Sequence, residues 1–291
     1  MTQAALEASG ASPPPGWGTA PGDDAGALVS RVGQRMMWAR ATSWSLAGVV
    51  FASLLLGSAL RFERYGDVLA VLGAAAAILW LFLRMRSVTQ GRRVREAAAL
   101  LSVGRLDLAE PRATEAMSAF CLLRPVTLGA AALLAAVRHG QRRHAEAARL
   151  AAFVLARPEK LIAGSKRSVR LLLADALMEL DAPDAARHAI GPLYAAAATP
   201  ADRLPLAEAL KLLSIQLTLD ARAGRWAEVR HRLASKLSMV ELMASKESAR
   251  LTGLLLRAAE EGGADFEAWR TLLARRAALL SPDDAPEPES A

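Results

Sequence analysis

The chain has 291 residues, 53% of them apolar, and a mean hydropathy of +0.21, so it carries more apolar surface than a soluble domain usually hides. A formal charge of +7 with only 5% aromatic residues, and no basic stripe interleaved with aromatics, excludes a nucleic-acid surface. One cysteine, Cys121, excludes an internal disulfide and suits a reducing compartment.

Residues 1–30 include ASPPPGWGTAPGDDAG and lack apolar periodicity. Such a segment buries too little surface to offset the entropy of ordering, so a disordered tail is expected. Two apolar stretches follow. ATSWSLAGVVFASLLLGSAL (41–60) runs twenty positions without a charge between Arg40 and Arg61, and VLAVLGAAAAILWLFL (68–83) runs sixteen more between Asp67 and Arg84. About twenty helical residues cross a hydrocarbon core. The second stretch reaches that length over 65–83 if Tyr65–Asp67 lies among headgroups and Arg84 snorkels. Residues 31–87 therefore predict a transmembrane helical hairpin. The first run starts too late and is too long for a cleaved signal peptide.

The flanks set orientation. Arg31, Arg35 and Arg40 precede the first span, and Arg84, Arg86, Arg92, Arg93 and Arg95 follow the second. The intervening turn carries Arg61 and Arg64 beside Glu63 and Asp67. Excess arginine on both outer flanks places the N- and C-termini in the cytoplasm, and the Ala- and Arg-rich composition suits a bacterial inner membrane. The cluster Arg84–Arg95 is read either as a topology signal alone or as a surface for anionic headgroups, worth about 1 kcal/mol per arginine. The spans hold no ionisable group, which favours an anchor over a transport path. Small residues four apart (Gly48/Ala52, Ser53/Gly57, Gly73/Ala77) suit close helix contact within the hairpin or between copies in a homo-oligomer.

Residues 88–280 read as helix throughout. Apolar positions recur three and four apart: Val169, Leu172, Leu173, Ala176, Leu177, Leu180; then Leu206, Leu210, Leu213, Leu217; then Val229, Leu233, Leu237, Val240; then Leu251, Leu254, Leu255, Ala258. Each set lines one helical face that needs a partner surface. Gly104, Gly140 and Gly224 are expected to supply left-handed helix ends. Pro111, Pro125, Pro158, Pro183 and Pro200 fall near starts and stops. These marks give about five antiparallel helix pairs: roughly 92–123, 126–157, 165–197, 201–243 and 246–280. The bends share a pattern in GRLDLAE (104–110), GQRRHAE (140–146), LDAPDAA (180–186) and GRWAEV (224–229), with successive offsets of 36, 40 and 44 residues. In each, a glycine or its substitute is followed five residues later by Ala or Val. Residues 281–291, SPDDAPEPESA, form an acidic, disordered tail.

The unit AALLAAVRHGQRRHAEAARLAAFVLARP (131–158) resembles the tetratricopeptide-repeat superfamily. Gly140 matches the family's bend glycine, Ala145 the small residue opening the second helix, Ala152 the later small position, and Pro158 falls near the closing proline. GRLDLAEPRATEAMSAF, with Gly104 and Ala109, and ARAGRWAEVRHRL, with Gly224, match more weakly. The first-helix aromatics of the family are replaced by Ala or Leu, so the repeats are degenerate. The resemblance implies an all-α fold, a right-handed superhelix of helix pairs that holds other proteins.

Catalytic and metal signatures are sparse. His139 and His144 are five apart across the Gly140 bend between arginines, whereas metal-binding histidines on one helix sit three or four apart. GSKRS (164–168) lacks the first glycine of a phosphate loop, and Ser165 reads better as a helix N-cap. No GxSxG, HExxH or GxGxxG occurs. The expectation is therefore a non-enzymatic protein without cofactor or metal: a membrane-anchored scaffold presenting a cytoplasmic helical domain to a protein partner. The alternatives are a structural subunit of a secretion, envelope-assembly or motility complex, and an enzyme whose site the sequence does not display.

Overall fold

A computed structural model describes residues 24–59, 66–161, 165–197, 204–234, 236, 250–254 and 257–258, and every regular element among them is an α-helix. The chain divides into two compact units, Met1–Leu180 and Asp181–Ala291. The turn 60–65, most of the expected pair 246–280 and the acidic tail 281–291 lie outside the described residues.

The first unit begins with two long helices, α1 (Asp24–Ala59) and α2 (Gly66–Ser102), packed side by side. Each combines an apolar half with an amphipathic half. In the amphipathic half of α1, Ala25, Val29, Val32, Met36 and Ala39 are buried at alternating spacings of four and three. That stripe packs on the helices α3 (Leu106–Ser118) and α5 (His144–Leu155). The tail expected over 1–30 is thus corrected at its end, since 24–30 form the first two turns of α1. Burial of Ala25 and Val29 orders them, despite their glycine-rich neighbourhood.

The boundary expected at residue 88 falls inside α2, which continues without a break. Beyond Arg86 its face changes character: Ser87, Gln90, Gly91, Val94 and Ala97 are buried against α3 and α4 (Arg124–Gly140). The Ser87 hydroxyl donates to the Leu83 carbonyl at 2.8 Å and accepts the Leu122 N–H at 2.9 Å, pinning the loop after α3 to the base of the hairpin. Arg35 of α1 donates to the Ser118 carbonyl at the end of α3. The hairpin and the helices below it share continuous backbone and direct hydrogen bonds.

The apolar halves behave differently. Almost no residue of either is buried, and Trp44, Phe51, Leu54, Val71 and Ile78 are each at least 65% exposed. Both helices are long and apolar enough to cross a membrane. They touch through small residues: a Cβ on Gly73 would come within 2.9 Å of the Ser53 Cβ, so the expectation of close approach at these positions holds. Nothing lies within 4 Å of where a Gly48 Cβ would be, which leaves that position facing outward.

Four shorter helices follow among the described residues of the unit: α3, α4, α5 and α6 (Lys166–Glu179), each packed on the next. Pro125 occupies the first turn of α4, where its missing N–H costs nothing. Ser165 caps α6 by accepting the Ser168 N–H at 3.0 Å. Pro111, expected at an end, lies inside α3. The pair expected over 165–197 is divided by the unit boundary. In the second unit α7 (Pro183–Ala197), α8 (Leu206–Arg222) and α9 (Trp226–Ala234) pack in sequence. Their core includes Leu213, Leu217, Val229, Leu233, Leu251 and Ala258, so parts of three predicted stripes meet there.

Candidate functional site

The bends show where sequence reasoning chose the right pattern and the wrong register. Gly104 and Gly224 adopt positive φ, 78° and 66°, as expected. Gly140 does not; it is the last residue of α4, and Arg142 takes the left-handed conformation with φ 62°. The hydrogen bonds make the equivalence plain. The Gly104, Arg142 and Gly224 amides donate to Leu101, His139 and Ala221 at 2.9–3.0 Å, and the next residues, Arg105, Arg143 and Arg225, donate to Leu100, Arg138 and Asp220 at 2.8–2.9 Å. That pair of bonds is the Schellman motif. Asp181 also takes the left-handed conformation, with φ 55°.

Five residues beyond each left-handed residue a small side chain opens the next helix: Ala109, Ala147, Ala186 and Val229, all 0% exposed. Ala145, the sequence choice, is exposed. Gly140 serves a different purpose, because a Cβ there would come within 2.9 Å of a Leu106 methyl. The true bends at 104, 142, 181 and 224 are therefore 38, 39 and 43 residues apart. Arg142 is exposed, so Arg142→Gly should remove the left-handed strain and stabilise the unit by about 0.5–1 kcal/mol after the added freedom of the unfolded chain, read as a higher urea midpoint. Gly104→Ala and Gly224→Ala, with nothing within 4 Å of the new methyl, should each cost about 1 kcal/mol through backbone strain alone.

The arginines beyond α2's apolar half are not one cluster. Arg84 lies over the Trp80 ring, 5.0 Å from its centroid. Arg86, Arg92 and Arg95 are exposed. Arg93 is paired with Glu115 of α3 and so holds two helices together. On α1, Trp38 and Trp44 are about 70% exposed on either side of Arg40. Aromatic rings beside guanidinium groups are what a headgroup layer accommodates.

A partly buried ionic network escaped the sequence reading. Arg138 reaches Glu110 at 2.8 Å and Glu146 at 3.6 Å, while Arg143 reaches Glu146 at 2.5 Å. It ties α3, α4 and α5 together around one bend. The available signal was Glu146 three residues after the cap residue Arg143. Nearby, His139 Nε2 lies 3.0 Å from Asp175 Oδ2, and the Nδ1 atoms of His139 and His144 are 3.2 Å apart. Burial, then the neighbouring His139, lowers the His144 pKa against the opposing charges of Glu179 and Asp175, with Arg142 adding to the lowering.

Arg124 at the start of α4 pairs with Glu159. Burial pushes the Glu159 carboxyl up, but a backbone hydrogen bond, the Arg124 hydrogen bond and the charges of Arg124 and Arg157 together outweigh it and leave the pKa lowered. The pair thus contributes stability above about pH 4.3, the unfolded value, and loses it as pH falls through the folded pKa. Urea midpoints measured from roughly pH 5 to pH 3 should fall less steeply in Glu159→Gln than in the parent chain.

The second unit carries an open pocket of about 570 Å³, lined by Tyr194, Gln216, Asp220, Arg225, Glu228 and Arg232 among others. The Asp220 side chain is 6% exposed and lies 2.5 Å from Arg225 and 3.2 Å from Arg232. Burial, opposed by the charge of Arg232 and aided by that of Asp220, pushes the Tyr194 phenol up to about 12, so it stays protonated and can donate a hydrogen bond. Cys121 is buried, its thiol directed to the Leu123 carbonyl at 3.4 Å. Among the described residues no group of three or more His, Cys, Asp or Glu side chains is arranged to hold a metal ion.

No protein-family model, curated protein or solved structure matches this chain.

Proposed function

We propose that this chain is a membrane-anchored scaffold: the hairpin of α1 and α2 crosses the bilayer, and the helical units bind a protein partner on the cytoplasmic side. The carrying observation is the exposure of both apolar halves. A soluble protein would leave Trp44, Phe51, Leu54, Val71 and Ile78 against water, at roughly 25 cal/mol for each Å² of apolar surface. Lipid removes that cost. The arginines flanking both spans support cytoplasmic termini, and the exposed Arg86, Arg92 and Arg95 suit anionic headgroups. The repeated Schellman bends with a buried small residue five positions on support a tetratricopeptide-like superhelix, in which each helix pair offers surface to a partner.

One observation favours the alternative of a structural subunit in a larger membrane complex. Both spans run as unbroken helix into the domain below, whereas a recruiting adaptor gains reach from a flexible linker. Alkaline phosphatase and green-fluorescent-protein fusions after residue 291 test the topology; fluorescence without phosphatase activity is expected, and the reverse would move the domain outside. Affinity purification in mild detergent separates the two readings. An adaptor should lose its partner as salt rises, and a subunit should keep one at fixed stoichiometry.

A further inference from the structure

Building on the membrane reading, we propose that the hairpin carries a girdle that selects anionic phospholipids from the bilayer. It lies at the end next to the helical unit, and Arg40, Arg84 and Arg86 hold the lipid phosphates. Ser53 meets Gly73, and α1 and α2 pack side by side as the two arms of the hairpin. Equal helical rises from that contact put Arg40 level with Arg86, Trp38 with Val88 and Trp44 with Phe82. The three arginines therefore share one depth, at the edge of the apolar halves.

Charge at that depth has one sign. Residues 25–62 and 68–95 contain no Asp or Glu. Arg40, Arg84 and Arg86 are all exposed, and no acidic neighbour on either helix claims them. Other arginines of the flanks are engaged: Arg93 by Glu115 and Arg35 by the Ser118 carbonyl. The turn at the opposite end mixes Glu63 and Asp67 with Arg61 and Arg64, so the preference for anions belongs to this end alone.

Apolar exposure at the same depth separates a headgroup site from a bare topology signal. Met37, Trp38, Met85 and Val88 are each more than half exposed among these arginines. Water disfavours such a surface, whereas the boundary between acyl chains and headgroups suits it. Arg84 lies over the Trp80 ring, 5.0 Å from its centroid. Stacking fixes the guanidinium plane and leaves an N–H edge for a bidentate phosphate contact. Arg84 and Arg86 stand roughly 200° apart around α2, so the girdle gathers several lipids and does not enclose one headgroup.

The test reconstitutes the full chain in vesicles of phosphatidylcholine and phosphatidylglycerol in equal parts, with bromine on the acyl chains of one lipid or the other. Bromine quenches tryptophans it touches, so Trp38, Trp44 and Trp80 report which lipid is adjacent. Bromine on phosphatidylglycerol should quench more, corresponding to about a fivefold preference, the factor that one arginine supplies at an anionic surface. Combining Arg40→Gln, Arg84→Gln and Arg86→Gln should bring the preference close to unity. Arg95→Gln, roughly 13 Å beyond Arg86 and more than a Debye length away, should change it by less than about twofold. The parent's preference should also fall at about 1 M salt, where the Debye length is about 3 Å, a readout that needs no variant. Equal quenching by the two lipids in the parent, or a triple variant that keeps the parent's preference, overturns the girdle and leaves the anchor standing. Absence of quenching by either lipid overturns the membrane reading, and the girdle with it.

Discussion

Phe51→Arg combined with Ile78→Arg should strip the chain from membranes or prevent its stable accumulation. Both side chains are at least 65% exposed near the middle of the apolar halves, so neither change disrupts a packed protein core. An arginine at the centre of a span costs about 2.5–3.5 kcal/mol on the insertion scale, so the pair should cost about 5–7 kcal/mol. Val103→Arg is the control. Val103 is 76% exposed but lies beyond the end of α2, where water already surrounds it, and its replacement should leave partitioning unchanged. Carbonate extraction followed by ultracentrifugation reads the difference. A double variant that sediments with membranes as fully as the parent would remove the basis for the anchor.

Ala147→Leu should destabilise the first unit by about 1–3 kcal/mol, while Ala145→Leu should change stability by less than about 0.5 kcal/mol. The two positions are one residue apart from being adjacent, and both are alanines near the start of α5. Ala147 is 0% exposed, so three added carbons must displace side chains of neighbouring helices. Ala145 faces solvent. Urea unfolding followed by circular dichroism separates them, and equal midpoints would restore the register read from Gly140.

That contrast explains what was legible in advance. The hairpin stood out because absence of charge over twenty residues leaves few physical alternatives, and the helical content followed from spacings of three and four. Ser165 as a cap was local chemistry and readable. The bend register was not. A glycine in the right neighbourhood drew the alignment to residue 140, but the glycine there answers to Leu106, a residue on another helix. Arg142 is left-handed because packing on both sides demands a turn, and only tertiary contacts reveal that cost being met. With alanine at 145, 147, 148, 151 and 152, no small residue marked itself as the buried one. Residues 24–30 were hidden for a related reason: their stripe of Ala25 and Val29 is weak alone and becomes legible only when continued through Val32, Met36 and Ala39.

The unbroken run of α2 from its apolar half to Ser102, pinned at Ser87, makes the hairpin a lever. Sixteen residues of that helix, 87–102, extend roughly 24 Å below the apolar section at 1.5 Å per residue. On the proposed membrane reading the spans tilt to match bilayers of different thickness, and the unbroken helix carries that tilt onward. A ten-degree tilt would sweep the far end of α2 sideways by about 4 Å, so the thickness of the surrounding lipid would set the position of the helices that α2 carries.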